Sequence, residues 1–259
     1  MNHRFINSVI ILLIVAVAGC ASSTEREAVL EKKNKRAETH VMLGASYLQR
    51  GQLNVAKEEL EKALSEMPDN SQANNMMAVL QWRLNKYNEA DRFFRKALDK
   101  DANNSSAHHN YGAFLCDRGK LDVSVRHFDA AAGDALYPYT AEVNLNAGVC
   151  LMKKPAPAMA EKYFREALRI NPRLPSALYQ MAKLSVDSGK RLPARGFIER
   201  YFQSAEDTPE SLLLAVRIER ALGNKNAEAS YALRLRSKFP TSPEAGQLHV
   251  APAPKPKKK

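Results

Sequence analysis

The sequence predicts an all-α chain built as a solenoid of six helical pairs over residues 37–240. Two observations carry the prediction. Ala, Leu, Glu, Lys and Arg dominate while Gly is scarce, 11 of 259 residues, which is a helical composition. Small residues then recur at a fixed step: Gly44, Ala78 and Gly112 are each 34 apart, and Gly148 follows after 36. A period of this length marks a supersecondary unit that buries its apolar side only by stacking on its neighbours.

The segment before the repeats has a different character. Met1-Asn2-His3-Arg4 gives a positive start, and Phe5 to Val17 is apolar apart from Asn7 and Ser8. At about 1.5 Å per residue that stretch falls short of a hydrocarbon core of about 30 Å, so residues 1–19 read as a secretory signal rather than a membrane span. Val17-Ala18-Gly19-Cys20 resembles the bacterial lipobox. The resemblance implies cleavage before Cys20 and covalent lipid on that cysteine as the one attached group, each buried CH₂ contributing roughly 0.8 kcal/mol to anchoring. It also implies sorting to the inner leaflet of the outer membrane, facing the periplasm, because Ala21-Ser22 rather than an Asp follows the cysteine. The alternative is a secreted protein in which Cys20 occurs by chance. Residues 20–36 then form the lipidated N-terminus and the start of the first helix, since Arg26 to Arg36 contains no helix breaker.

The repeats follow in order, at 37–70, 71–104, 105–140, 141–174, 175–208 and 209–240. In the first four, Ala56, Ala90, Ser124 and Ala160 hold one register. Leu60, Phe94, Phe128 and Phe164 hold a second, and Ala63, Ala97, Ala131 and Ala167 a third. The two-residue excess before Gly148 falls around Gly133 to Pro138, as a longer loop, and Pro155 and Pro157 tighten the turn inside the fourth repeat. Ala182, Ala194, Ile198 and Tyr201 mark the fifth repeat. Ala215, Gly223, Ala229 and Leu233 mark the sixth, which on this reading holds a one-residue insertion. Residues 241–259 end in Ala-Pro-Ala-Pro-Lys-Pro-Lys-Lys-Lys and read as a flexible Pro/Lys-rich tail.

Leu43-Gly44, Tyr47, Gly51, Ala56, Leu60, Ala63 and Pro68 resemble the tetratricopeptide pattern. The resemblance implies a right-handed superhelix whose concave wall is lined by the first helix of each repeat, helix A. On that wall the first two repeats place Val41, Leu48, Val79, Trp82 and Arg83, an apolar groove with the single tryptophan and a basic edge. Such a groove suits an amphipathic helix or an extended apolar peptide. The alternative for Trp82 is packing between repeats. Val41 and Ala45 stand where the chaperone-binding branch of the family places a Lys and an Asn, so capture of a terminal carboxylate is not expected.

Cys116 and Cys150 lie on helix A of neighbouring repeats, two positions out of phase. They are left either as a bridge that pins the third and fourth repeats together or as two buried thiols. His108-His109 with Cys116 and Asp117 lacks a second ligand pair at metal spacing, so no metal is expected. No GxxxxGK[ST], HExxH, GxSxG or CxxC occurs, and no catalytic residue or small-molecule substrate is expected. Of the net charge of +11, Arg4 and the four tail lysines carry five units, which leaves +6 spread among acids on residues 20–249. That reads as solvated helix faces and not as a nucleic-acid surface.

A lipobox followed by six such repeats, with Leu43-Gly44-Ala45-Ser46-Tyr47 in the first and His109-Asn110-Tyr111-Gly112-Ala113-Phe114-Leu115-Cys116 in the third, resembles the type IV pilus biogenesis family, the PilF/PilW pilotins. The resemblance implies binding of the pilus secretin, its delivery to the outer membrane and its multimerisation, and through these pilus biogenesis and twitching motility. A scaffold for cell-wall enzymes or for outer-membrane β-barrel assembly is the alternative, and a cell-wall polymer binder acting through the basic tail is a further one. The Lys-rich tail has no counterpart in the pattern.

Overall fold

The first, third and fourth repeats close where a glycine on one helix meets a large side chain on the next. The computed structural model describes residues 3–153 and 157–249, with side chains for 25–153 and 157–248. In chain order the helices are α1 (His3–Gln49), α2 (Leu53–Glu66), α3 (Ser71–Arg83), α4 (Tyr87–Lys100), α5 (Ser105–Asp117) and α6 (Leu121–Ala132). They continue as α7 (Thr140–Leu151), α8 (Pro157–Ile170), α9 (Pro175–Asp187), α10 (Arg191–Phe202), α11 (Pro209–Leu222) and α12 (Lys225–Lys238). A short α13 (Pro243–Gly246) and a 3₁₀ turn follow. The twelve long helices pair as repeats, odd with even, and the chain divides into two compact halves, residues 1–111 and 112–259.

The pairing is fixed by close approach. A Cβ on Gly44 would stand 2.7 Å from Leu60 Cγ, one on Gly112 2.9 Å from Phe128 Cδ1, and one on Gly148 2.5 Å from Phe164 Cε1. All three partners are buried. Turns between paired helices repeat as well: Gly51, Gly119, Gly189 and Gly223 have φ of 74° or 75°, and Asn85 stands at the corresponding place with φ 59°. Asn is the side chain that best tolerates that left-handed backbone. At the other end of the pairs, Lys96 Nζ donates to the Pro68 carbonyl and Arg200 Nη2 to the Pro172 carbonyl, each at 2.7 Å. Both satisfy a carbonyl of the preceding repeat.

The sixth repeat departs from the sequence expectation. Gly189 and Gly223 are 34 apart, so nothing is inserted. Val216 occupies the small-residue place 34 after Ala182, and Ala232 the large-residue place 34 after Ile198. Both are buried in one cluster. The larger side chain has moved to α11 and the smaller to α12, and the Val–Ala pair is one methylene smaller than the Ala–Ile pair before it, a difference the surrounding core takes up by repacking. Ala229 and Leu233, two of the residues that marked the sixth repeat in the sequence, are exposed, Leu233 at 66%.

Residues 241–249, expected as part of the flexible tail, are ordered, and the rest of that expectation lies outside the described residues. The Ser242 side chain accepts from the Ala245 N–H and Pro243 opens α13, so Ala245 and Leu248 pack on Leu212, Leu213 and Val216 of α11. Ala245 lies 34 after Ser211, which is itself 34 after Ala177, so the segment is the beginning of a seventh helix A. It covers the Leu212, Leu213 and Val216 side of α11. Elsewhere in this half, the buried Glu219 carboxylate receives both arms of Arg195, at 2.7 and 2.5 Å.

Cys116 of α5 and Cys150 of α7 are bonded to each other, with Cα atoms 5.8 Å apart. Ser124 Oγ lies 3.4 Å from Cys150 Sγ and donates to the Gly112 carbonyl at 2.7 Å. The α6–α7 connection, residues 133–139, is longer than the four-residue connections at 67–70, 101–104 and 171–174, in line with the two-residue excess. At the N-terminus α1 is one helix of 47 residues. Among the described residues no helix is long and apolar enough to cross a membrane. Cys20 lies outside the residues whose side chains are described, as do Pro155 and the lysine tail.

Two outcomes follow from the packing. Gly148→Ala should lower unfolding stability by about 1–3 kcal/mol, because the Phe164 ring has nowhere to move, and urea midpoints compare it with the parent. Reducing the bridge, which closes a loop with a sequence separation of 34, should cost about 3–4 kcal/mol in the chain-entropy model, measured by unfolding with and without reductant.

Candidate functional site

The candidate face belongs to the N-terminal half, where α1 and α3 are the helices A of the first two repeats. Its five expected residues do not share one environment. Val41, 6% exposed, packs with Ala63 of α2 and Ala73 of α3, and Leu48, 3% exposed, joins Ala56, Leu60, Met77 and Leu80. Both were expected on the groove wall, and both lie beneath it, because α3 packs over them. Val79 and Trp82 are half-buried and Arg83 is exposed, so these three carry the surface, with the half-buried Ala45 and the exposed Gln49 alongside in sequence register.

Arg83 is held in place. Its Nη1 donates to the Leu48 carbonyl in the last turn of α1, where the helix leaves its carbonyls without intrahelical partners and partly negative. In the C-terminal half Lys153 Nζ treats the Cys116 carbonyl of α5 in the same way at 3.1 Å. Arg83 is therefore a link between α3 and α1 as well as the basic edge of the face.

Further along α3 the inner face turns polar, which the groove reading missed. Asn75, fully buried, donates through Nδ2 to Ser106 Oγ at 3.1 Å and to Gln72 Oε1 at 3.4 Å, and its Oδ1 accepts from Asn110 Nδ2 at 3.1 Å. Asn104 Nδ2 donates to Ser71 Oγ at 2.8 Å and to Gln72 Oε1 at 3.3 Å. Amides thus join α3 to α5, and the apolar part of the face stops at Val79 and Trp82. The signal was in the sequence: Gln72, Asn75, Ser106 and Asn110 put polar groups on the inner side of successive helices A.

Titratable groups here are structural. Burial and the Asp91 carboxylate, which accepts from its hydroxyl at 2.8 Å, push Tyr111 up to about 12. Glu59 is held below the usual carboxylate range by Lys62 and then by His40, whose Nδ1 lies 2.7 Å away. Among the described residues no group of three or more His, Cys, Asp or Glu is placed to hold a metal ion. The face offers an indole, a valine and an oriented guanidinium, side-chain types suited to contact with an apolar or amphipathic segment.

Tetratricopeptide repeat models match residues 47–110 and 115–175. The chain is 31% identical over 239 residues to the type IV pilus assembly protein PilF of Pseudomonas aeruginosa, covering 92% of this chain and 95% of that protein. The solved structure of Pseudomonas aeruginosa PilF is similar with a TM-score of 0.76, at 31% identity, over 83% of this chain and 97% of that one. That of PilW, a widely conserved type IV pilus biogenesis factor, is similar with a TM-score of 0.73, at 29% identity, over 83% and 98%. With repeats, fold and nearly the whole length of both chains in agreement, this protein belongs to the PilF/PilW family of non-enzymatic type IV pilus assembly proteins.

Proposed function

We propose that the chain binds the type IV pilus secretin through the Val79, Trp82 and Arg83 face and holds it at the inner leaflet of the outer membrane until it multimerises. The observation that supports this reading most is similarity to PilF along nearly the full length of both chains. Two further features fit. Trp and Arg are the residue types most often found at the energetic centre of protein interfaces, and here Arg83 is pre-oriented by the Leu48 carbonyl. Cys20 ends an apolar segment in a lipobox-like context, and lipid there would fasten the chain to a bilayer facing the periplasm. Tethering makes a modest affinity sufficient, because carrier and cargo meet at raised local concentration. Proteins are the partners in this mechanism, and it needs no small-molecule substrate.

Two variants separate anchor from grip. Cys20→Ala should leave the repeats folded, release the chain from outer-membrane fractions and lower secretin multimers; normal multimers and twitching in that strain would contradict the mechanism. Trp82→Ala should keep the chain at the membrane and weaken secretin binding by about tenfold or more, read by titrating purified components. Unchanged affinity would move the site off this face.

A further inference from the structure

Of the large apolar side chains described, Leu136 is the most exposed, at 92%. It sits in an ordered loop. In the α6–α7 connection the Leu136 N–H donates to Asp134 Oδ1 at 2.9 Å and the Tyr137 N–H to the Asp134 carbonyl at 3.1 Å. The Thr140 hydroxyl donates to the Tyr137 carbonyl at 2.6 Å, and the rings of Tyr137 and Tyr139 meet edge-on with centroids 5.6 Å apart. The loop's own hydrogen bonds thus hold Leu136 outward, with Tyr139 56% exposed three residues on.

Helices α6 to α9 alternate in direction, so the α6–α7 and α8–α9 connections lie at the same end of the C-terminal half. That end also carries Ile170, 40% exposed at the last residue of α8, and the exposed Arg173 just beyond it. An exposed leucine and tyrosine on one loop, with isoleucine and arginine at the same end of the half, is the chemistry of a segment that dips into the boundary between lipid headgroups and acyl chains. Tyrosine places its ring in the apolar layer and its hydroxyl in the polar one, and arginine meets phosphate. The opposite end differs: its exposed Leu192, at 67%, is the second residue of α10, and a base near it, the N-cap Lys190, is already paired through Nζ with Glu161 Oε2 at 3.4 Å.

We propose that the α6–α7 loop is a membrane-contacting tip that seats Leu136 and Tyr139 in the headgroup–acyl boundary of a phospholipid bilayer. The proposal rests on the reading of Cys20 as a lipid anchor, because two side chains hold a protein at a bilayer only when something else already keeps it there.

Leu136→Trp and Leu192→Trp report on the two ends, both at exposed positions that leave the core untouched. Each is placed in the intact lipidated chain and reconstituted into vesicles of phosphatidylethanolamine and phosphatidylglycerol with brominated acyl chains, and the parent's Trp82 emission is subtracted. Emission from position 136 should shift to the blue and be quenched by about twofold or more, while position 192 stays unchanged. Adding Tyr139→Ser should reduce the quenching at 136. Equal quenching at both ends, or none at 136, overturns the proposal. So does a blue shift at 136 that appears only with a purified protein partner and not with vesicles. A chain that fails to float with vesicles at all rejects the anchor, and this proposal with it, whereas a floating chain without quenching at 136 rejects the tip alone.

Discussion

The crossing of paired helices at a glycine or alanine is the contact on which the rest of the structure depends. It lets the backbones of α1 and α2, α5 and α6, and α7 and α8 approach until Leu60, Phe128 or Phe164 lies against a bare Cα. Once that distance is set, the left-handed turn between the helices, the capture of proline carbonyls by Lys96 and Arg200, and the start of the next helix fall into place at the same step. Within each half, repetition then builds a core from repeats too small to fold alone. The cost is rigidity of register: the pairing keeps its places whether it is Gly44 with Leu60, Gly112 with Phe128, or Val216 with Ala232 and the sizes exchanged.

That rigidity explains how little of the candidate face is adjustable. Val41 and Leu48 hold the first two repeats together from below, Asn75 and its amide partners join α3 to α5, and Arg83 is tied to α1. On the proposed reading, recognition would fall to Val79, Trp82 and Arg83, and because the Leu48 carbonyl already orients Arg83, less ordering entropy would be lost there on binding. The titratable groups nearby, Tyr111 on Asp91 and Glu59 beside Lys62, serve the same scaffolding.

The architecture was readable because its dominant signal is periodic and local. Gly44, Ala78, Gly112 and Gly148 announce the helix pairs, and their spacing locates the longer α6–α7 loop. What escaped was governed by contacts between elements. In the sixth repeat the small and large residues exchange helices, and following Ala215, Ala229 and Leu233 led to an insertion that is absent. Of the seventh helix A only α13 and one 3₁₀ turn are described, too short to register as a helical pattern, yet Ala245 keeps the step of 34. Val41 and Leu48 have the right positions for a groove wall, and only the packing of α3 shows that they lie under it. The amide network was visible as polar residues on inner helix faces, but which amide meets which is a three-dimensional fact.

The length of α1 has a separate consequence. Because it runs unbroken from His3 to Gln49, chain position along it is coupled to azimuth. Each residue inserted or removed between 25 and 36 would displace everything upstream by about 1.5 Å and also turn it by about 100° about the helix axis. A flexible tether conveys only distance. This helix conveys a compass bearing as well, so the aim of the first repeat is written into the residue count of a segment that contributes almost nothing to the core.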